Sequence, residues 1–431
     1  MKAKDFKSNQ IYSVCKNLPF GVRNGTIYTD KGDHWERTED RDVILKICAQ
    51  FPDPDQAYLS DSAVKDTVCR IKNTPAKQLE FTDETNQNYI NVRNGVYDVE
   101  TCTLKTRNKD LKFSYVADFQ YESNVTIEKT PVFKKFTESV FPEEKEVKTR
   151  LLLEILGYAI SDYQTAKAGF FFIGASNSGK STLLEVVKKL LPEKSVTAIP
   201  LHRLTNRFNI ARLDGARMNI CSEINEKSFA ALDLFKQMTS NEVVTAEHKC
   251  QTPFEFRLKC KSLNAGNMLP QISALEGMDA ILNRMVILYF PVSVDKDKQD
   301  KKLVDKLYEE RNQIFSMAVD ALVKLKDNNF IFTEPKDTET LKAQLCSEST
   351  VFEDFIKDCC EIGKKNEIHI SRLYQAFSLY CEDNLVEAKY SKRQFSQKIY
   401  KMPEVKREKK RINNSKPLWA AIGITLKSED M

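Results

Sequence analysis

The sequence predicts an α/β protein built around a parallel sheet, with a mixed α+β region before it and a small basic domain after it. Three observations carry this. Residues Ala168 to Ile173 (Ala-Gly-Phe-Phe-Phe-Ile) form a short apolar run bounded by turn residues, the pattern of a strand buried on both faces. A glycine-rich turn and an amphipathic helical pattern follow it directly. The stretch Val386 to Met431 carries 12 Lys/Arg against 5 Asp/Glu, a net +7, which leaves −2 for the rest of a chain whose total is +5. A chain of 431 residues exceeds what one ordinary core organises, so about two to four domains are expected. Boundaries are expected at 1–130, 131–338 and 345–431.

Taken in order, the first 130 residues look mixed. Phe20-Gly-Val-Arg-Asn-Gly-Thr-Ile-Tyr and Tyr89-Ile-Asn-Val-Arg-Asn-Gly-Val-Tyr each place Asn-Gly between β-favouring runs. Asn-Gly suits a type I′ turn because both residues tolerate positive φ, so two hairpins are predicted around a helix near Arg41 to Phe51. Phe133, Phe136, Val140, Leu151, Leu152, Ile155 and Leu156 recur at helical steps between Pro131 and Tyr163. Thr205 to Val294 alternates short apolar and polar segments, and Lys301 to Leu325 closes the region as a helix. Asp327 to Thr338 is polar and reads as a linker. Glu348 to Lys427 reads as a separate small domain.

Bulk composition excludes several classes. At 41% hydrophobic and 29% charged the chain is of ordinary globular composition. No run of about 18 uncharged apolar residues exists, so no transmembrane helix is expected. The N-terminus (Met-Lys-Ala-Lys-Asp-Phe-Lys) lacks an apolar signal core, so a cytoplasmic location is expected, in a bacterial host or at a viral replication site. Eleven cysteines, an odd number without Cys-x-x-Cys, argue for reduced thiols. His34, His202, His248 and His369 are scattered, so no structural zinc site is expected.

Gly174-Ala175-Ser176-Asn177-Ser178-Gly179-Lys180-Ser181 matches G-x-x-x-x-G-K-[ST]. The glycines let backbone N–H groups curl around phosphate oxygens. Lys180 is placed to reach β- and γ-phosphates, and the Ser181 hydroxyl to ligate Mg²⁺. The helix opening at Ser181 and Thr182 adds its dipole, with Leu183, Leu184, Val187, Leu190 and Leu191 on one face. A chance match in a chain of this length is roughly 1–2%, taking glycine at about 7% of residues. The cofactors expected are therefore ATP, or a close relative, and Mg²⁺.

Downstream residues narrow the chemistry. Met218-Asn-Ile-Cys-Ser-Glu223 is a short apolar segment ending in an acid that suits Mg²⁺ or the attacking water, with Glu226 a second candidate. Lys261-Ser-Leu-Asn-Ala-Gly-Asn267 can bring an amide beside the γ-phosphate. Asn283-Arg284 precedes Met-Val-Ile-Leu-Tyr-Phe, another strand, and an arginine there suits an arginine finger.

Together these residues resemble the superfamily III helicases, and more narrowly the phage/plasmid primase-helicase family that includes the poxvirus replication ATPase. Ile90-Asn-Val-Arg-Asn-Gly-Val-Tyr-Asp-Val and Leu104-Lys are similar to the domain preceding that family's motor. Leu156-Gly-Tyr precedes the loop strand at the family's spacing, and Phe235-Lys236-Gln-Met-Thr-Ser-Asn-Glu resembles an element usually ending in Gly-Gly-Asp. The substitution leaves the role of Glu242 open. The resemblance implies an AAA+-like ATPase core over 131–338. It implies that Glu223 is the acid, Asn267 the sensor and Arg284 a finger acting on a neighbour, and that His248 and Lys249 lie on a DNA-engaging hairpin. It also implies a homo-hexamer, 3′-to-5′ movement, and single-stranded and forked DNA as partners, alongside a separate primase or initiator. About 130 residues precede the motor region and no paired-carboxylate primase motif is visible, so no primer synthesis is expected.

At the basic end, Ser371 is expected to cap a helix with Leu373, Phe377, Tyr380 and Leu385 inward. Ser391-Lys-Arg-Gln394 reads as a capping box opening a second helix that carries Lys392, Arg393 and Lys398. Val405 to Ile412 and Leu418 to Ile424 flank Asn413-Asn-Ser-Lys-Pro as a two-stranded wing. Helix, helix and ribbon outline a winged helix whose lysines would bind DNA phosphates. The expected function is an ATP-dependent DNA helicase in replication of a mobile element. The rivals are an origin-binding initiator that uses ATP as an assembly switch, and a P-loop small-molecule kinase.

Overall fold

Five strands make the central sheet: β1 (Gly169–Gly174), β2 (Val196–Thr197), β3 (Met218–Cys221), β4 (Lys261–Gly266) and β5 (Met285–Phe290). Their order across the sheet is β5-β1-β4-β3-β2, and every neighbouring pair is parallel. Strand β1 is buried over its whole length, which is why its sequence is apolar without alternation. Phe170 and Phe172 enter a core shared with Leu156, Leu184 and Val187, while the Phe171 ring meets Phe235 at 5.9 Å between centroids. The computed structural model describes residues 5–224, 232–247, 249, 252–269, 278–295, 297, 299–384, 390–412 and 416–427. The chain divides into two units: Met1–Gln271 with Asn283–Pro335, and Ile272–Leu282 with Lys336–Met431.

In the first unit, an antiparallel meander of Phe20–Arg23, Thr26–Asp30 and Trp35–Thr38 packs with helices Ser8–Cys15, Asp40–Cys48 and Asp61–Lys72. Ile11, Val22, Ile27, Val43 and Ile47 are fully buried between them. The turn at Asn24-Gly25 has φ of +49° and +73°, as a type I′ turn requires. The second Asn-Gly behaves differently. Val92 pairs with Gly95, so Arg93-Asn94 form the turn and Gly95 lies in the strand. The Asn94 side chain explains the shift: its Oδ1 accepts from Tyr121 N and its Nδ2 donates to Tyr121 O. The core also does not break at residue 130. Val92, Tyr97, Tyr115 and Phe119 share one cluster with Phe133, Leu156 and Phe170, so the segment from Tyr89 onward packs with the central sheet. The closing helical region is two helices, Leu303–Glu309 and Arg311–Asp327.

The second unit contains helix Lys336–Cys359, strand Cys360–His369, helices Ile370–Asp383 and Lys392–Ile399, and strands Lys406–Lys410 and Leu418–Leu426. The first helix begins inside the stretch read as a linker, and Cys360–His369 is a strand that sequence patterning missed because its residues are mostly polar and only Cys360 and Ile368 are buried. Leu418–Leu426 runs between the other two strands, antiparallel to both. Phe352, Phe355, Leu373, Phe377, Phe395 and Ile399 fill the core. His369 rather than Ser371 is the N-cap of Ile370–Asp383. Ser391 and Gln394 form the expected capping box, each side chain accepting from the other's backbone N–H. Leu385 and 413–415 lie outside the described residues. Among the described residues no helix is long and apolar enough to cross a membrane.

Candidate nucleotide site

The 174–181 loop leaves the carboxyl end of β1 and opens helix Lys180–Leu190. Two glycines make the curve possible. Gly174 has φ of +138°, and a Cβ there would lie 2.1 Å from Phe290 O. Gly179 has φ of +91°, and a Cβ there would lie 2.6 Å from the Phe136 ring. Asn177 supplies the remaining left-handed residue at φ +58°. The loop is braced from β5 and beyond it: Ala175 N donates to Phe290 O at 3.0 Å, and Val294 N to Asn177 O at 3.1 Å.

Lys180 is 8% exposed although it is a lysine. Its ammonium sits within the loop's curve, donating to Gly174 O at 2.9 Å, to Ala175 O and to Ser178 Oγ at 3.0 Å. Burial lowers its pKa below the usual lysine range. Ser176, Asn177 and Ser181 are exposed, Ala175 and Thr182 partly so. The loop thus presents an open helix N-terminus, a hydroxyl and a largely buried cation, which fits a phosphate chain with a divalent metal.

Parallel register shows what else reaches this edge. Cys221 pairs with Asn264, and Gly266 pairs with Ile173. Glu223 and Asn267 therefore leave their strands level with the start of the loop, at the same carboxyl edge, and both are exposed. Ile224 N donates to Ala265 O at 2.9 Å, and Cys221 Sγ to Glu223 O at 3.1 Å, which holds the segment bearing the acid against β4. Asn264 is not part of this edge group: it is fully buried and its Nδ2 donates to Phe170 O and Ser262 Oγ. Glu226 lies outside the described residues.

Arg284 is placed elsewhere. Its carbonyl accepts from Gly169 N at 2.8 Å, at the start of both β1 and β5, so it stands at the amino edge. Val243–Ala246 and Phe254–Arg257 form an antiparallel hairpin, with Lys249 exposed in the connection and His248 outside the described residues. Lys236 is partly buried on helix Leu232–Thr239, and Glu242 is exposed at the hairpin's base. In the second unit Lys392 and Arg393 are exposed; Lys392 donates to Ser371 Oγ at 2.9 Å. Lys398 is committed to its own unit: its ammonium donates to Tyr390 Oη at 2.7 Å and lies 5.1 Å from the Phe352 ring centroid.

A second polar cluster at the amino edge was not foreseen. Arg217, just before β3, bonds Asp162 at 2.7 Å, approaches Asp83 at 3.5 Å and covers the Tyr115 ring at 3.4 Å. Lys261 opens β4 and donates to Tyr158 O and Ser161 O at the end of helix Lys145–Ile160. Burial pushes its pKa down to about 7. Asp83, Ser161, Asp162, Arg217 and Lys261 line a cleft of about 280 Å³. They lie far apart in sequence, so no local signal announced them. A larger cleft, about 860 Å³ between helices Pro131–Val140, Lys145–Ile160 and Arg311–Asp327, includes no residue of the 174–181 loop.

Three segments of the chain match known families. Residues 16–142 match the family described as D5 N terminal like, and residues 350–421 match Poxvirus D5 protein-like. Residues 172–281 match a family of unknown function, DUF5906. No curated protein matches the chain. Among solved structures, the apo structure of the NrS-1 C-terminal region (305–718) is 11% identical with a TM-score of 0.49, covering 98% of this chain and all of that one. An A-form apo structure of the same region is 10% identical with a TM-score of 0.48, covering 97% of this chain and all of that one. The D5-type segments, one toward each end of the chain, indicate the phage and viral primase-helicase family.

Proposed function

We propose that this protein is a ring-forming, ATP-dependent DNA helicase of the superfamily III type, serving replication of a phage, plasmid or virus. The observation that carries the reading is the carboxyl edge of the sheet, where the 174–181 loop, Glu223 and Asn267 meet. The order β5-β1-β4-β3-β2 supports an AAA+-like core, because it inserts β4, with its Asn267, between the loop strand and the acid strand. The D5-type matches support a role in replication. The helix, strand, two helices and two strands of the second unit support the winged-helix reading.

In this reading the loop amides and Lys180 hold the β- and γ-phosphates of ATP. Ser181 and Glu223 hold Mg²⁺, which when bound neutralises charge developing on the phosphates. Glu223 also orients the attacking water, and Asn267 positions it against the γ-phosphate. Arg284 stands at the opposite edge and acts on the site of a neighbouring protomer. Lys249, with His248, reaches DNA in a channel, and Lys392 and Arg393 contact phosphates through the second unit.

The test is ATP turnover with and without single-stranded DNA, together with unwinding of a fork and native mass with ATP. Stimulated turnover, fork opening and a hexamer are expected. Tight ATP binding with unstimulated, near-zero turnover would refute the motor and leave the initiator.

A further inference from the structure

The second unit carries a surface that the proposed function leaves unassigned. Every residue of edge strand Lys406–Lys410 is exposed, and four of its five residues are basic. Among the described residues Lys406 and Lys409 make no ion pair, while Lys410 pairs with Glu367. The antiparallel register sets Arg407 opposite Ala421 and Lys409 opposite Trp419. Side chains alternate along a strand, so Arg407, Lys409 and Trp419 emerge on one face.

Trp419 is 46% exposed, unusual for the side chain with the largest apolar area. It is not loose. The Arg407 guanidinium lies 3.9 Å from the Trp419 ring centroid and 5.5 Å from that of Tyr400. The indole is thus backed by a cation that is itself set against a second ring. An aromatic face fixed in this way, with cations beside it, meets both needs of a single-strand ligand: stacking for a base and charge for its phosphates. An intact duplex keeps its base faces covered and offers only phosphates and groove edges.

We propose that Trp419, backed by Arg407 and flanked by Lys409, is a stacking platform for an unpaired base of single-stranded DNA. This rests on the DNA-binding reading above and adds to it the strand state that the second unit selects. The chain has two tryptophans, Trp35 and Trp419, so Trp35→Phe leaves Trp419 as the sole source of tryptophan emission.

The experiment titrates full-length Trp35→Phe protein with labelled oligothymidylate and with a blunt duplex. Label anisotropy reports binding, and tryptophan emission reports stacking. Quenching by oligothymidylate at the anisotropy midpoint, without quenching by duplex, is expected. In the otherwise unaltered chain, Trp419→Ala should weaken single-strand binding about tenfold to a hundredfold and Trp419→Phe far less. Lys409→Ala should lower the slope of log affinity against log salt by about 0.7. Single-strand binding with unchanged Trp419 emission and an unaffected Trp419→Ala would overturn the platform while leaving DNA binding intact. Equal quenching by duplex, or a Trp419→Ala effect on self-association instead of on DNA, would also overturn it. No anisotropy change with either DNA would remove the underlying reading.

Discussion

Arg284 offers the sharpest test, because the structure fixes how far it is from its own loop. Met285 pairs with Gly169 and Phe290 with Gly174, so Arg284 and the loop stand at opposite ends of the same strands. Six residues of strand at about 3.3 Å each separate them by roughly 20 Å. An arginine side chain spans only about a third of that distance. Arg284 therefore has no access to phosphates held by the loop of its own chain. Arg284→Ala should leave ATP affinity unchanged and cut turnover by about 10³- to 10⁵-fold, roughly 4–7 kcal/mol of transition-state stabilisation. Lys180→Ala should be equally inactive, for the opposite half of the site. Mixed one to one and allowed to co-assemble, the two inactive chains should recover activity. About a quarter of randomly formed head-to-tail interfaces then join an intact loop to an intact arginine, so roughly a quarter of wild-type turnover is expected if interfaces fire independently. The assay is steady-state phosphate release, with co-assembly checked by native mass. Verified mixed rings without recovery, or full turnover by Arg284→Ala alone, would refute the reasoning.

Three further outcomes are expected. Gly179→Ala forces a Cβ into a left-handed φ of +91° and 2.6 Å from Phe136, and should destabilise the first unit by about 2–4 kcal/mol in urea. Adding Phe136→Ala should then cost less than the two single effects summed, and strict additivity would count against the steric account. Lys180→Ala should abolish ATP binding in calorimetry while leaving the melting temperature near wild type, since its three bonds are local to the loop. Lys261 has a folded pKa of about 7, below the roughly 10.4 of an unfolded lysine. The unfolded chain therefore binds more protons between those values, so this group makes stability rise with pH from about 7 to 10 and its cost is complete below about 7. Lys261→Met should flatten that part of the melting profile and, by leaving Tyr158 O and Ser161 O without this donor, cost about 2–4 kcal/mol. An unchanged slope between pH 7 and 10 would exclude Lys261 as its source.

The chain shows where local pattern suffices and where it fails. The 168–173 run, the loop 174–181, the capping box at Ser391 and the first Asn-Gly turn were legible because each is encoded in adjacent residues and their backbone preferences. The second Asn-Gly was misread by one residue, because a tertiary bond from Asn94 to Tyr121 overrode turn chemistry. Cys360–His369 was missed because a mostly polar strand, buried only at Cys360 and Ile368, has no apolar period to detect.

By itself the sequence determined that a glycine-rich loop lies between a buried strand and an amphipathic helix, since spacing, glycine and helix periodicity are all short-range. It also marked Glu223, Asn267 and Arg284 as candidates. Only the tertiary structure decided that the first two share an edge with the loop and that Arg284 does not, because strand order and parallel register set which ends meet. The same holds for Arg217, which meets Asp83 across 134 residues of chain. Burial and proximity of that kind come from packing, and no local pattern carries them.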